Sequence, residues 1–316
     1  MNSFGSRKVL NLIFYSIILL GFAIFIQNNR SELSFEALSS RYIFLVITLK
    51  FVNFLIFNQL HMQIFKIYDL NISKNENFEL TYKGYIGNFF GFGKSGTGYK
   101  AIFLNKKYNF SYFKFTSFYV FLQTLTLFGT SLICLFILIF SETFLNENKN
   151  GLLLLLVLII LACIFSNLIF KFLSRFEVLK KIPYFNKYFL NLNEIDINTS
   201  ISFIKNKKIY KILYLQLLVQ INLFFQIFFQ AKTLSIDISI LSNFVYNLIS
   251  QISIFLSLTP NSIGIKEFFL VISNQFIGLS PNQVFDLAII DRITDFLSLI
   301  LFTLLFNSIK NFIKRS

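Results

Sequence analysis

Six apolar runs, each close to or above twenty residues long, constrain this chain more than any other feature. The hydrocarbon core of a bilayer is about 30 Å thick, and a helix needs about 20 residues to cross it. Runs of this order lie at 9–26, 42–60, 112–140, 151–170, 209–230 and 283–306. A soluble domain could not hide six such runs in a chain with 45 Phe and 55% hydrophobic residues. We therefore predict an all-α polytopic membrane protein in which residues 1–316 form a single integral membrane domain.

Three further apolar stretches are ambiguous. Residues 236–258 form another long run, whereas 79–92 and 264–279 are shorter and are interrupted by Gly. Irregular backbone at membrane depth is tolerated where it is buried in protein or lines a water-filled cavity, so these stretches can be half-helices or re-entrant arms. The sequence predicts six full transmembrane helices plus two re-entrant or half-helix hairpins, or eight helices if the second hairpin crosses.

The net charge of +14 is concentrated between the apolar runs. An excess of Lys and Arg marks cytoplasmic segments, so we predict that both termini and the basic loop 171–208 are cytoplasmic. This topology suits a multi-pass protein of a cell membrane such as the bacterial inner membrane. Basic loops are attracted to anionic headgroups, and we expect membrane lipid headgroups, not nucleic acid, to be the partners.

Residues for redox, metal or nucleophilic chemistry are sparse. Cys134 and Cys163 lie inside apolar runs, and His61 is the single histidine. We expect no disulfide framework and no metal cluster. The glycines of "GFGKSGTG" at 91–98 lack the spacing of a nucleotide-binding loop. No Ser/His/Asp set is evident, so the sequence predicts a protein that is not an enzyme and needs no cofactor.

Two short segments of the chain match each other. "GYKAIFL" at 98–104 and "GIKEFFL" at 264–270 share Gly, Lys, Phe and Leu in the same places, and a Ser (Ser111, Ser280) precedes a long apolar run after each. We predict an internal repeat of 79–140 and 236–306. Counting spans from a cytoplasmic N-terminus gives the copies opposite orientations, an inverted-topology repeat of the kind that places a transporter's site near the midplane. A chance match in a Phe- and Ile-rich sequence is the alternative.

The last long run contains "DLAIIDRITDF", with Asp286, Asp291, Arg292 and Asp295. A charge at the centre of a membrane helix costs roughly 2.5–3.5 kcal/mol on insertion scales, so these residues should face protein or water and should pair. The spacing of Arg292 and Asp295 allows an i,i+3 pair.

The stretch before that run, "SLTPNSIGIKEFFL", combines helix breakers with charge. Pro260 ends the incoming helix, Gly264 permits a tight turn, and Lys266 and Glu267 follow directly. With Arg292, the pair can line a polar cavity for a charged headgroup. Alternatively, the charges neutralise one another and fix helix packing, or Lys266 lies at the membrane interface and snorkels.

These residues carry a resemblance to a known family. "TPNSIGIKEFFLVISNQFIGLSPNQVFDLAIIDRITDFL" resembles the C-terminal signature of the lysylphosphatidylglycerol synthase transmembrane region, the flippase-like family also called UPF0104. The matching positions are Pro260, Gly264, Lys266, Glu267, Gly278–Ser280 and Arg292. "GKSGTGYKAIFLNKKYNFSYFKF" is similar to the family's first Gly-rich turn, through Gly96, Lys100 and Leu104. The first turn lacks the usual Pro, and Gln123 stands where an Arg is common.

The resemblance spans about residues 40–306 and implies the translocating membrane unit without the soluble lysine-transferring domain. We expect a flippase-like protein that moves an anionic or polyprenyl-linked lipid between leaflets. The alternative is a non-transporting accessory protein of envelope glycosyltransfer or polysaccharide assembly, with a glycosyltransferase or assembly system as partner. The candidate substrate-binding residues are Lys266, Glu267, Arg292, Lys100 and Asp295, and the candidate turn residues are Pro260, Gly264, Gly96 and Gly98.

Overall fold

The computed structural model describes residues 41–91, 94–140, 149–164, 208–256 and 259–315. The predicted span 9–26 and nearly all of the predicted cytoplasmic loop 171–208 lie outside these ranges. The described residues form the helices α1 (Arg41–Ile67), α2 (Lys74–Phe90), α3 (Ser95–Tyr108), α4 (Tyr112–Phe140), α5 (Lys149–Ile164), α6 (Lys208–Thr233), α7 (Ile240–Leu256), α8 (Ile265–Ile272), α9 (Asn274–Ile277) and α10 (Pro281–Arg315), with a 3₁₀ turn at Pro260–Ser262. The all-helical prediction is confirmed for this part of the chain.

Three stretches of helix are long and apolar enough to cross a membrane. They are Arg41–Ile67, Lys114–Phe140 and Ile209–Thr233, and they coincide with three of the six predicted runs. The helices Lys149–Ile164 and Ile240–Leu256 are apolar but shorter. Large apolar side chains point outward from several of these helices, among them Phe44, Phe136 and Leu154. Such an exterior suits a lipid environment. The total number of spans stays a prediction.

Each matched segment lies in its own apolar cluster. Leu104 of α3 is fully buried among residues of α1, α2, α4 and α6. Leu270 of α8 is fully buried among residues of α4, α5, α6, α7 and α10. The same Leu of the matched heptapeptide therefore anchors its helix in both places, which explains why both positions need a large apolar side chain.

The first hairpin, α2 and α3, is closed by glycines. A Cβ on Gly87 would lie 2.6 Å from the Cα of Gly96, so only glycine permits the helices to approach this closely. The Ser95 hydroxyl donates to the Gly87 carbonyl at 2.6 Å. Gly98 lies inside α3, and a Cβ added to it would have no neighbour within 4 Å. The glycine-rich stretch thus packs two helices together, and Gly96 and Gly98 lie in the first turns of α3, beyond the linker.

The second hairpin turns through unusual backbone. After α7, the 3₁₀ turn begins at Pro260, and the following residues Asn261, Ser262 and Gly264 have φ values of 44°, 60° and 82°. Positive φ is costly for residues with a Cβ, so Asn261 and Ser262 are strained positions. The backbone N–H of Gly264 donates to Glu267 Oε2 at 2.7 Å, which satisfies the start of α8.

The two long helices α4 and α10 start in the same way. A left-handed residue comes first, Asn109 (φ 52°) before α4 and Gly278 (φ 75°) before α10. Two residues later, the hydroxyl of Ser111 or Ser280 accepts a hydrogen bond from the N–H three residues on, at 3.2 Å in each case. The two matched segments therefore share local backbone geometry as well as sequence.

Candidate functional site

Six charged side chains from three helices lie together in the interior. α1 contributes one, α8 contributes two and α10 contributes three. We call them the charge cluster: Lys50, Lys266, Glu267, Asp291, Arg292 and Asp295.

Asp291 lies at the centre of this cluster. Its Oδ1 is 2.7 Å from Lys50 Nζ and its Oδ2 is 2.5 Å from Lys266 Nζ. Lys50 also reaches Asp295 Oδ1 at 2.6 Å. The amide of Gln230 on α6 donates to Asp291 Oδ1 at 2.9 Å. One carboxylate therefore ties together side chains from three other helices.

Arg292 joins the turn of the second hairpin to α10. Its Nε donates to Glu267 Oε1 at 2.8 Å, and its Nη1 donates to the carbonyl of Asn261. Because Glu267 also accepts from the N–H of Gly264, Arg292 and Glu267 together hold the strained turn. Charge-assisted hydrogen bonds of this kind are roughly twice as strong as neutral ones.

The cluster is buried and electrically balanced. Lys50, Lys266, Glu267 and Arg292 are 7%, 5%, 6% and 9% exposed. Three cations face three anions, so every charge is compensated within the cluster. The desolvation cost of burying an ion pair is offset only when the pair has good geometry and its remaining polar atoms are hydrogen-bonded. A snorkelling Lys266 at the membrane interface does not fit its burial or its bond to Asp291.

Some hydrogen-bonding atoms at the charge cluster are not used by the pairs described above. Arg292 Nη2, Asn261 Nδ2 and Gln230 Oε1 are buried and have no hydrogen-bond partner within the described ranges. A buried polar atom left unpaired costs about 1–3 kcal/mol. Donors and an acceptor are therefore available beside the paired charges.

The equivalent lysine of the first hairpin has a different environment. Lys100 lies against Gly84, with its Nζ 3.1 Å from the place that a Cβ on Gly84 would take. Within the part of the chain that the structure describes, Lys100 makes no hydrogen bond and no ion pair, and none of the bonds of the charge cluster involves it.

The turns of the two hairpins meet. Lys94, the left-handed residue before α3, donates from Nζ to the carbonyl of Phe255 near the end of α7, at 2.8 Å. A cation at the carboxyl end of a helix also complements the helix dipole. α2 packs against the 3₁₀ turn Pro260–Ser262. The glycine-closed turn and the strained turn therefore lie side by side.

The sequence reasoning missed Lys50 and assigned Arg292 to a different partner. Lys50 stands alone in the apolar run 42–60, and the rule that an intramembrane lysine must pair would have marked it as a candidate. Arg292 bonds to Glu267 and not to Asp295, which pairs with Lys50. The i,i+3 spacing predicted the wrong pair because helix spacing ignores side chains that arrive from α1 and α8.

A comparison with family models matches residues 12–302 to the lysylphosphatidylglycerol synthase TM region. No curated protein and no solved structure matches the chain. The match covers both hairpins, α4, α10 as far as residue 302 and the whole charge cluster, in agreement with the resemblance drawn from Pro260 to Arg292. The chain therefore belongs to the family of the lysylphosphatidylglycerol synthase TM region and is a membrane protein.

Proposed function

We propose that the protein is a flippase-like membrane protein that moves an anionic or polyprenyl-linked lipid between leaflets through a polar cavity formed by both hairpins. The observation that carries this proposal is the charge cluster itself, buried beside a strained turn in an apolar, helical protein. Ionisable groups in membrane helices are costly and mark substrate or ion pathways by default. Family membership adds a general link to lipid-related processes.

In this proposal, the substrate-binding residues are Lys266, Glu267, Arg292, Asp295 and Lys100. Arg292 Nη2 and the Lys100 ammonium are donors without partners among the described residues, so they can meet a headgroup phosphate without breaking a bond. Lys266 is bound to Asp291 and must exchange a carboxylate for the phosphate. Guanidinium and ammonium groups both suit phosphate. The protein acts by binding and moving a lipid, and no covalent chemistry is involved.

The inverted-topology repeat belongs to the same proposal. Six full spans and two hairpins follow from the apolar runs, and the cytoplasmic placement of the termini and of the loop 171–208 in a bacterial inner membrane follows from the distribution of Lys and Arg. The shared starts of α4 and α10 and the adjacent turns of the two hairpins support it. A cysteine placed in 171–208 should resist a membrane-impermeant thiol reagent added outside the cell.

The deciding experiment uses proteoliposomes and leaflet-specific detection of labelled lipid. Since a single truncation would leave a buried charge unpaired, the variant is the neutral pair Glu267→Gln with Arg292→Gln, which retains hydrogen-bonding groups. The matched control is Glu79→Gln with Lys83→Gln, which removes an exposed ion pair of α2 at 2.6 Å. We expect at least a tenfold slower movement of an anionic lipid for the cluster variant and the wild-type rate for the control. Equal rates for all three proteins would refute the proposal.

A second candidate is a non-transporting accessory protein of envelope glycosyltransfer or polysaccharide assembly. The complete mutual pairing of the six charges favours it, because a cluster without free charge is also what a packing device would show. In that case wild-type proteoliposomes move no lipid, and the protein co-purifies with a glycosyltransferase from its native membrane.

A further inference from the structure

A second polar network lies in the interior, outside the charge cluster. Its members come from α4, α6 and α7, so it joins the long helix of the first copy to the first helix of the second. We call it the amide lane: Thr126, Thr130, Gln216, Gln220, Asn247 and Gln251. All six are buried, and none is charged.

Close polar contacts connect the members of the lane. Gln216 Nε2 donates to Thr126 Oγ1 at 2.7 Å, and Gln220 Nε2 donates to the Thr126 carbonyl at 3.2 Å. Thr130 Oγ1 lies 2.8 Å from the Thr126 carbonyl, 2.9 Å from Gln220 Oε1 and 3.2 Å from Gln251 Oε1, and it donates its one proton to one of these acceptors at a time. Gln251 Nε2 then donates to Asn247 Oδ1 at 3.2 Å. Such a network requires three helices to present amides and hydroxyls at matching heights.

The lane and its neighbours on α7 hold unused hydrogen-bonding atoms. Gln216 Oε1, Asn247 Nδ2, Tyr246 Oη and Ser250 Oγ are buried without a partner among the residues that the structure describes. Tyr246 is 1% exposed, and its side chain is one of the largest that are fully buried. Buried polar groups in native proteins are nearly always paired, so four unpaired atoms, three of them within five residues of α7, can take up further hydrogen-bonding groups.

We propose that the amide lane binds the hydroxyl groups of an uncharged, polyol part of a lipid headgroup. A hydroxyl both donates and accepts, and the unused atoms comprise a donor, an acceptor and two hydroxyls that can do either. A bare anion would meet the acceptor Gln216 Oε1, and a bare cation would meet the donor Asn247 Nδ2.

This inference rests on the proposed function, since it names the chemistry that the cavity accepts. Two sources of the same chemistry exist, a glycerol headgroup and a sugar headgroup. The probes are therefore phosphatidylglycerol and a glucosyl diacylglycerol. Phosphatidic acid, whose headgroup carries no alcohol hydroxyl, is the control lipid.

The test measures lipid binding to the purified full chain in detergent, from the shift of the thermal unfolding midpoint with lipid concentration. The variants Tyr246→Phe and Ser250→Ala remove only unpaired hydroxyls, so they should leave the unfolding midpoint without lipid unchanged or higher. We expect each to weaken binding of the hydroxyl-bearing lipid roughly three- to tenfold, the loss of one hydrogen bond. Tyr82→Phe, a buried tyrosine in the aromatic cluster of α1, α2 and α10, is the matched control and should bind as the wild type does.

Stabilisation by phosphatidylglycerol alone assigns the lane to glycerol, and stabilisation by the glucosyl lipid assigns it to sugar. Equal stabilisation by phosphatidic acid, or wild-type affinity in both variants, overturns the inference. The two proposals fail separately. If the wild type moves lipid but Tyr246→Phe and Ser250→Ala bind the hydroxyl-bearing lipid with wild-type affinity, only the proposed hydroxyl site is refuted. If no lipid moves but both variants lose affinity for the hydroxyl lipid, only the transport proposal falls.

Discussion

The two matched segments repeat backbone geometry but not charge. Both place a fully buried Leu on the second helix of a hairpin, and both start the next long helix with a left-handed residue and a capping Ser. The second copy, 236–306, holds five of the six residues of the charge cluster, whereas Lys100 of the first has no ionic partner among the described residues. The comparison shows that chain geometry in this fold can be repeated without the electrostatics that accompany it.

Uncharged polar groups join the first hairpin to α1, and an ion pair at its surface, Lys107 with Glu76 at 2.6 Å, joins α2 to α3. Asn77 Nδ2 donates to the Asn58 carbonyl at 2.8 Å and to Asn58 Oδ1 at 2.6 Å, and the Thr81 hydroxyl donates to the same Oδ1 at 3.2 Å. These bonds tie α2 to α1. Neutral hydrogen bonds carry smaller desolvation costs than ion pairs, so the first hairpin should tolerate substitution better than the second.

The largest expected effect is a difference in stability between substitution of Arg292 in the second copy and substitution of Lys100 in the first. Arg292→Ala leaves Glu267 buried without its cation, so we expect the free energy of unfolding to fall by about 3–5 kcal/mol. Lys100→Ala leaves no carboxylate unpaired within the described ranges, and its effect should be below about 1 kcal/mol. Denaturant unfolding in micelles, followed by circular dichroism, measures both. Equal losses would mean that Lys100 has a buried partner and that the contrast between the copies is false.

The next effect concerns the glycine crossing of the first hairpin. A side chain on Gly96 would overlap the Gly84 carbonyl and the Asn88 amide, so Gly96→Val must push α2 and α3 apart. Overpacking of this kind costs about 1–3 kcal/mol. The same unfolding measurement should show this loss, and an unchanged stability would indicate that α2 and α3 cross less closely.

The caps of the long helices should behave alike in both copies. Ser111→Ala and Ser280→Ala each remove one hydrogen bond at a helix start, and a lost cap typically costs about 1 kcal/mol. We expect the two unfolding midpoints to shift downward by similar amounts. A loss at only one serine would argue against a shared helix start.

The smallest expected change in stability has opposite signs at the two matched glycines, Gly264 and Gly98. Gly264 has a φ of 82°, so Gly264→Ala should destabilise the protein by about 1 kcal/mol. Gly98 lies inside α3 with open space around it, so Gly98→Ala should stabilise the helix by roughly 0.5–1 kcal/mol. Paired melting curves of the two variants test this, and a change of the same sign in both would refute the assigned backbone difference.

These matched glycines show what sequence can and cannot reveal here. Hydrophobic runs predicted helices, and the matched serines predicted two helix starts, because both signals depend on near neighbours in the chain. The role of Gly98 was not predictable, since the same heptapeptide match fits a helix interior and a turn. The pairing of Lys50 with Asp291 was equally hidden, because the partners are 241 positions apart. Packing between distant helices decides both.

The shared position of Asp291 implies that its partners are energetically coupled. Lys50, Lys266 and Gln230 bond to one carboxylate from three different helices, so substitutions among them should be strongly non-additive in a double-mutant cycle. Loss of Lys50 strengthens the interaction of Asp291 with Lys266, whereas loss of Asp291 leaves Lys266 without a carboxylate and Lys50 with Asp295 alone. α1 precedes the first copy of the repeat in the chain. Through this coupling, the stability of the second copy depends on α1.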